Sequence, residues 1–143
     1  MALRTRLAGL IGSGALLAGA LVGVGSTPAS AAGVTFGFNP YPDGGGRIYA
    51  QEDGNYLGDV TWYADGDATH AEDTLCALDA WPDGRYVRGY ASFVRTVDTS
   101  GLTSPSTRCQ GGDMNKGQKF TLQMCLVAVG STPVCSEEYD VTT

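Results

Sequence analysis

Apolar and polar side chains alternate with a period of two along much of the chain after residue 33, which is the period of a half-buried strand. Between Phe120 and Leu126 the even positions Phe120, Leu122, Met124 and Leu126 are large and apolar, while Thr121 and Gln123 are polar. The even side therefore faces a core, and Cys125 points the other way, to a surface staple. From Arg85 to Val97, Val87, Ala91, Phe93 and Val97 share one parity, with Arg88 and Tyr90 on the other. Arg95 breaks that pattern, which predicts a bulge near Gly89 or an edge position. The other predicted strands are Val34 to Phe38, Arg47 to Glu52, Tyr56 to Ala64, Thr74 to Trp81, Phe120 to Val129 and Pro133 to Val141. Helix signals are nearly absent, so the fold class is all-β.

Turn chemistry separates the strands. Pro sets φ for the second turn position, Asp bonds the backbone near itself, and Gly accepts positive φ. Trp81-Pro82-Asp83-Gly84 and Tyr41-Pro42-Asp43-Gly44 share one aromatic-Pro-Asp-Gly order, each followed by Arg and an extended run. A weak duplication or two independent hairpins would produce this. Nothing else in the two halves aligns, which favours independent hairpins. Asp98 to Gly117 has little periodicity and is long for a structureless loop. It calls for a short strand around Cys109 or for a functional loop held by a disulfide.

The chain opens with the parts of a secretory signal: Arg4 and Arg6, an uncharged Gly-diluted apolar stretch from Leu7 to Val24, and Ala29-Ser30-Ala31 after Pro28. Cleavage is expected after Ala31, with Ala32 as the alternative, leaving residues 32–143 as one mature domain. A permanent anchor is disfavoured by the glycines and by the lack of a basic stop. This Ala- and Gly-rich stretch resembles export signals of high-GC Gram-positive bacteria. The end of the chain, KFTLQMCLVAVGSTPVCSEEYDV, resembles the last hairpin of fibronectin-type or immunoglobulin-like sandwiches. Seven short predicted strands in a mature chain of this length imply a single small disulfide-bonded β-sandwich, and the resemblance implies an immunoglobulin- or fibronectin-like one, although an immunoglobulin disulfide would join the two sheets rather than close one hairpin.

Cleavage changes the charge balance. The whole chain carries 15 acidic and nine basic side chains, a net charge of −6; with Arg4 and Arg6 removed the net charge becomes −8. A nucleic acid or an anionic membrane is therefore disfavoured as a partner. The four cysteines all lie in the exported part, as expected of structural disulfides, and without a C-x-x-C a zinc site is improbable. Cys125 and Cys135 are equidistant from Gly130 in a predicted hairpin, so they should pair, leaving Cys76 with Cys109.

Candidate chemistry is sparse. Asp65, Asp67, Glu72 and Asp73 lie on one Gly-containing loop and could offer oxygens to calcium, with Asp53, Asp59 and Asp79 as possible additions. The loop lacks EF-hand spacing, and the competing reading is a solvated acidic loop. Any histidine mechanism must use His70, the only His. A glycosidase pair would need two carboxylates about 5 to 10 Å apart, which spacing does not reveal. Trp62, Trp81, Tyr86 and Tyr90, with Tyr63, could form an aromatic surface for sugar or protein. Adjacent residues in a strand face opposite ways, so one of Trp62 and Tyr63 belongs to the core. The expected protein is a secreted, non-enzymatic, monomeric binding domain for an extracellular protein or carbohydrate, with no cofactor. An inhibitor of extracellular hydrolases, its loop held by a disulfide, and a small secreted hydrolase are the alternatives.

Overall fold

The computed structural model describes residues 33–92 and 94–143. The secretory signal, its cleavage site and the core placement of Phe93 lie outside the described residues. The described chain forms β1 (Val34–Pro40), β2 (Gly46–Glu52), β3 (Asn55–Tyr63), β4 (Thr74–Asp79), β5 (Arg85–Ala91), β6 (Arg95–Asp98), β7 (Ser106–Gln110), β8 (Lys119–Ala128), β9 (Val134–Cys135) and β10 (Tyr139–Thr142). One sheet has the order β1-β2-β3-β4-β7; the other has β10-β8-β5-β6, with β9 also paired to β8. Every pairing is antiparallel. Among the described residues no helix is long and apolar enough to cross a membrane.

The two sheets face each other as a sandwich, and period-two alternation supplies its core. Ile48 and Ala50 of β2, Val60 and Trp62 of β3, Val87 and Ala91 of β5, and Phe120, Leu122, Met124 and Leu126 of β8 are all buried. Gly89 lets the sheets approach: a Cβ there would lie 2.7 Å from Val60 Cγ1. Trp62, 0% exposed, meets Phe120 edge to face at 4.9 Å, and its indole Nε1 donates to the Thr142 carbonyl at 2.9 Å.

Both expected disulfides form, Cys76–Cys109 between β4 and β7 and Cys125–Cys135 between β8 and β9. Each joins directly opposed residues of neighbouring strands, so each staples one sheet and neither crosses the core. Cys125 does lie off the core parity, yet it is only 2% exposed, so the expected surface staple is sunk on that side. The supposed loop after Asp98 contains β7, the short strand that Cys109 calls for.

Three expectations are corrected. The run from Arg85 to Val97 is two strands, not one bulged strand. Val94 N–H donates to Ala91 O at 3.0 Å, the chain reverses, and Arg95 opens β6, which is an edge strand as the second alternative had it and keeps the same core-facing parity. Pro133 to Val141 is interrupted after Cys135, and the pairing with β8 slips by one residue before Tyr139. There the Ser136 hydroxyl accepts the Met124 N–H at 3.1 Å. The third correction concerns the repeated turn. Asp43 Oδ1 accepts Gly45 N–H at 2.9 Å and Asp83 Oδ1 accepts Arg85 N–H at 2.8 Å, with φ of 94° at Gly44 and 82° at Gly84. The first turn closes the β1–β2 hairpin, but the second carries the chain from one sheet to the other.

Candidate functional site

Because neighbouring strands run antiparallel, the connections at residues 53–54, 80–84, 99–105 and 129–133 gather at one end of the sandwich, hereafter the loop end. Side-chain bonds tie them together: Arg85 Nη2 donates to Glu52 Oε2 at 2.5 Å, and the Ser104 hydroxyl donates to Asp79. At the opposite end, Lys116 reaches Ala64 O and Asp65, and Arg95 donates to the carbonyls of Asp73, Gln110 and Gly112.

The predicted aromatic row is not one surface. Trp62 is the core member of the Trp62–Tyr63 pair, because its face of β3 is the one that meets the second sheet. Trp81 is 44% exposed in the sheet-crossing turn. Tyr86 lines a cavity at the loop end, its hydroxyl accepting from Arg88 Nη2 at 3.1 Å. Tyr90 lines a separate depression with Arg95 and Thr96.

The four carboxylates of the acidic loop are divided among three different sets of partners. Asp65 and Glu72 each lie 3.1 Å from the Lys116 ammonium, so a lysine already bridges them. Asp67 turns in on its own loop, where Oδ1 accepts from Thr69 N–H at 2.7 Å, the Thr69 hydroxyl at 2.8 Å and His70 N–H at 2.7 Å. Those bonds, Thr69's foremost, hold its carboxyl well below the usual range. Asp73 is fully buried, and its Oδ2 accepts Met114 N–H at 2.9 Å. The three further carboxylates are also distributed: Asp59 pairs with Arg47, Asp79 accepts from Ser104, and Asp53 is exposed in the β2–β3 turn.

His70 is arranged as part of this loop. Asp67 Oδ1 and the Thr69 hydroxyl both lie 2.9 Å from the same imidazole nitrogen, Nδ1. A nucleophile-base-acid relay uses opposite imidazole nitrogens for its two partners, so Thr69, His70 and Asp67 together cap a turn and do not form such a relay. Among the described residues no cysteine is free.

Two surfaces offer more. The first is at the loop end, where Leu102, Val129, Pro82 and Tyr86 line one open cavity of about 350 Å³, with Trp81 next to Pro82 in the chain. Trp81, Leu102 (42% exposed) and Val129 (95% exposed) are the exposed large hydrophobics of the described residues. Their loops are braced. Ser100 N–H and hydroxyl both donate to Asp98 Oδ1, Leu102 N–H donates to Thr99 O, and Cys125–Cys135 closes the hairpin that carries Val129.

The second surface is the outer face of the first sheet. Here Tyr41, Arg47, Asp59, Thr61, Tyr63 and His70 line a cavity of about 250 Å³ beside Cys76. Arg47 donates through Nε and Nη2 to Asp59 Oδ2 at 2.9 and 2.6 Å, Tyr56 donates to the same oxygen, and Thr61 donates to Oδ1 at 3.2 Å. Asp59 is thus a buried carboxylate with its charge compensated. The His70 ring stacks on Tyr63 at 4.1 Å.

The phenols of Tyr41, Tyr56 and Tyr63 are pushed up, burial being the largest cause in each, with the Asp59 charge adding to it. Unfolded tyrosines ionise near pH 10, before the folded ones, so above that pH the folded state holds more protons and stability falls. The melting temperature should therefore drop between about pH 9 and about pH 12, and a Tyr56→Phe variant should drop less. A flat profile for the native protein would contradict this ordering.

Sequence reasoning passed over Leu102, Val129 and Tyr41 as site residues, whereas Tyr63 stood in its aromatic row. For Leu102 a signal exists, a large apolar residue alone among turn formers. For Tyr41 none does, since it reads as the first residue of an ordinary Pro-Asp-Gly turn. No protein-family model matches the chain, and neither a curated protein nor a solved structure does.

Proposed function

We propose that this protein is a secreted, non-enzymatic binding domain, an immunoglobulin- or fibronectin-like β-sandwich freed by cleavage after Ala31, that docks on another protein through its loop end. The observation that carries this reading is the position of Trp81, Leu102 and Val129: three large apolar side chains are exposed on separate braced loops at the same end of the molecule. Isolated exposed hydrophobics are ordinary, but several at one braced edge mark an interaction site. Bracing also lowers the ordering cost of association. The rim is acidic, with Glu52, Asp53 and Asp83 set against Arg85, in a domain of net charge −8 once Arg4 and Arg6 are gone. The fitting partner is therefore a protein surface with an apolar recess edged by Lys and Arg.

A hydrolase whose active-site cleft takes Leu102 or Val129 is a narrower form of the same reading, supported by the stapled hairpin under Val129. The non-enzymatic part is supported by His70, whose Nδ1 is shared between Asp67 and Thr69.

The test is retention of a protein from the producing cell's secreted fraction on immobilised domain, with a Leu102→Asp/Val129→Asp double variant beside it. Both side chains are exposed, so the variant should melt like the native protein while retention falls at least roughly tenfold. Retention unchanged by the double variant overturns the loop-end reading. Concentration-dependent dimerisation abolished by the same variant would overturn it too, since the occupant would then be a second copy.

A further inference from the structure

The outer face of the first sheet lies apart from the loop-end cavity and shares no lining residue with it. Next to the cavity over Asp59 lies a second one of about 490 Å³, lined by Tyr41, Pro42, Asp43, Tyr63, Gly66 and Asp67. Tyr41 and Tyr63 belong to both cavities, so the two form adjoining halves of one trough. Alone the smaller falls just below the volumes of roughly 300 to 1,000 Å³ common for small-molecule sites, and the larger lies inside them.

The chemistry of the lining selects a ligand class. Arg47 is the cationic residue of the first cavity, and Asp59 compensates it at 2.6 Å. There an anionic ligand would have to compete with that carboxylate and a cationic one with the guanidinium, while Asp43 and Asp67 of the second cavity repel anions and already accept backbone N–H bonds, from Gly45 and from Thr69 and His70. Phenol rings and hydroxyls, the Thr61 oxygen as acceptor and the far side of the His70 imidazole remain as contacts for an uncharged ligand. Such a wall suits a molecule with apolar C–H faces and hydroxyl edges, because an aromatic face attracts polarised C–H groups while phenols both donate and accept. Sugar rings have both features, and a trough in two halves accommodates consecutive rings.

From this juxtaposition we infer that the outer face of the first sheet binds a neutral oligosaccharide, with Tyr41 and Tyr63 forming the wall common to two adjoining subsites. His70, stacked on Tyr63, holds that ring in place and acts as a positioning residue. The inference stands independently of the loop-end reading. If both hold, the domain carries a glycan on a sheet face and a protein at the loop end.

Calorimetric titration of the domain tests the inference with three soluble hexasaccharides: β-1,4-linked N-acetylglucosamine, β-1,4-linked glucose and α-1,4-linked glucose. At least one should bind saturably, Tyr41→Ala should weaken it at least roughly tenfold, and Leu102→Asp/Val129→Asp should leave it unchanged. Failure of all three sugars to bind, or binding indifferent to Tyr41→Ala, overturns the inference. Should Tyr41→Ala fail to fold, amide shifts of the native protein decide. Perturbations centred on Thr61, Tyr63 and Asp67 support the trough, and perturbations confined to other strands overturn it. Protein retention that the double variant leaves unchanged, with sugar binding intact, would remove the loop-end reading alone.

Discussion

Replacement of Trp62 by Ala is expected to lower the unfolding free energy by about 3 to 5 kcal/mol, the range for emptying a buried large aromatic site. Trp62 sits at the crossing of the two sheets, edge to face with Phe120, and is fully buried. Removing the indole leaves a cavity between two close-packed sheets, where collapse around it is limited. It also leaves the Thr142 carbonyl without its indole donor and withdraws the ring beneath the Arg95 guanidinium, now 5.4 Å from its centroid. A domain of this size has a total stability of about 5 to 15 kcal/mol, so the loss is a large share of it. At about 4 to 8 °C per kcal/mol, the melting temperature should fall by roughly 12 to 40 °C. Trp62→Phe, which keeps the packing but not the N–H, should lose markedly less. Equal losses for the two variants would show that the hydrogen bond, not the packing, dominates.

Removal of the Cys76–Cys109 disulfide by a double change to Ala is the second large effect. The bridge closes a sequence separation of 33, against 10 for Cys125–Cys135. Loop closure in the unfolded chain then assigns roughly 4 kcal/mol to the first and roughly 3 kcal/mol to the second. Cys76 and Cys125 are both buried, so the packing loss is comparable and the difference reports on loop length. Denaturant unfolding of the two double variants should therefore find the Cys76–Cys109 variant weaker. The reverse order would place the stabilisation in native contacts rather than in the unfolded chain. The first variant should also loosen the loop that carries Leu102, because β7 is tied to β4 at its far end by this bridge. Binding through the loop end should weaken in it by more than its stability loss explains at temperatures where it remains folded.

Much of the fold was legible along the chain because its signals are local. The alternation in β8 identified which side chains enter the core, since a strand exposes successive residues to opposite faces whatever it packs against. The pairing of Cys125 with Cys135 followed from their symmetry about one turn. Asp43 and Asp83 announced two turns because each bonds an N–H two residues on. Other features had no local signal. The reversal after Ala91 contains neither Gly nor Pro, so an apolar parity through residues 85–97, broken only at Arg95, concealed two strands.

The candidate sites depended even more on what lies far away in the chain. Trp62 and Tyr63 are adjacent, and alternation alone put one inside and one outside. Which of them went inside was settled by the face of β3 that meets Phe120 of the second sheet. The acidic loop looked like four oxygens for one cation, but Lys116, from beyond β7, already bridges two of them and Met114 engages a third. Leu102 and Val129 come to one cavity only because β6 and β8 run toward the same end. By itself the sequence determined an all-β chain, its Pro- and Gly-marked turns, its disulfide partners and the parity of its core strands, for these follow from backbone period and side-chain chemistry within a few residues. The tertiary structure alone decided which aromatic is core, which carboxylates are already occupied and which exposed side chains meet. Those outcomes depend on strand direction and sheet packing, which join residues that no local pattern links.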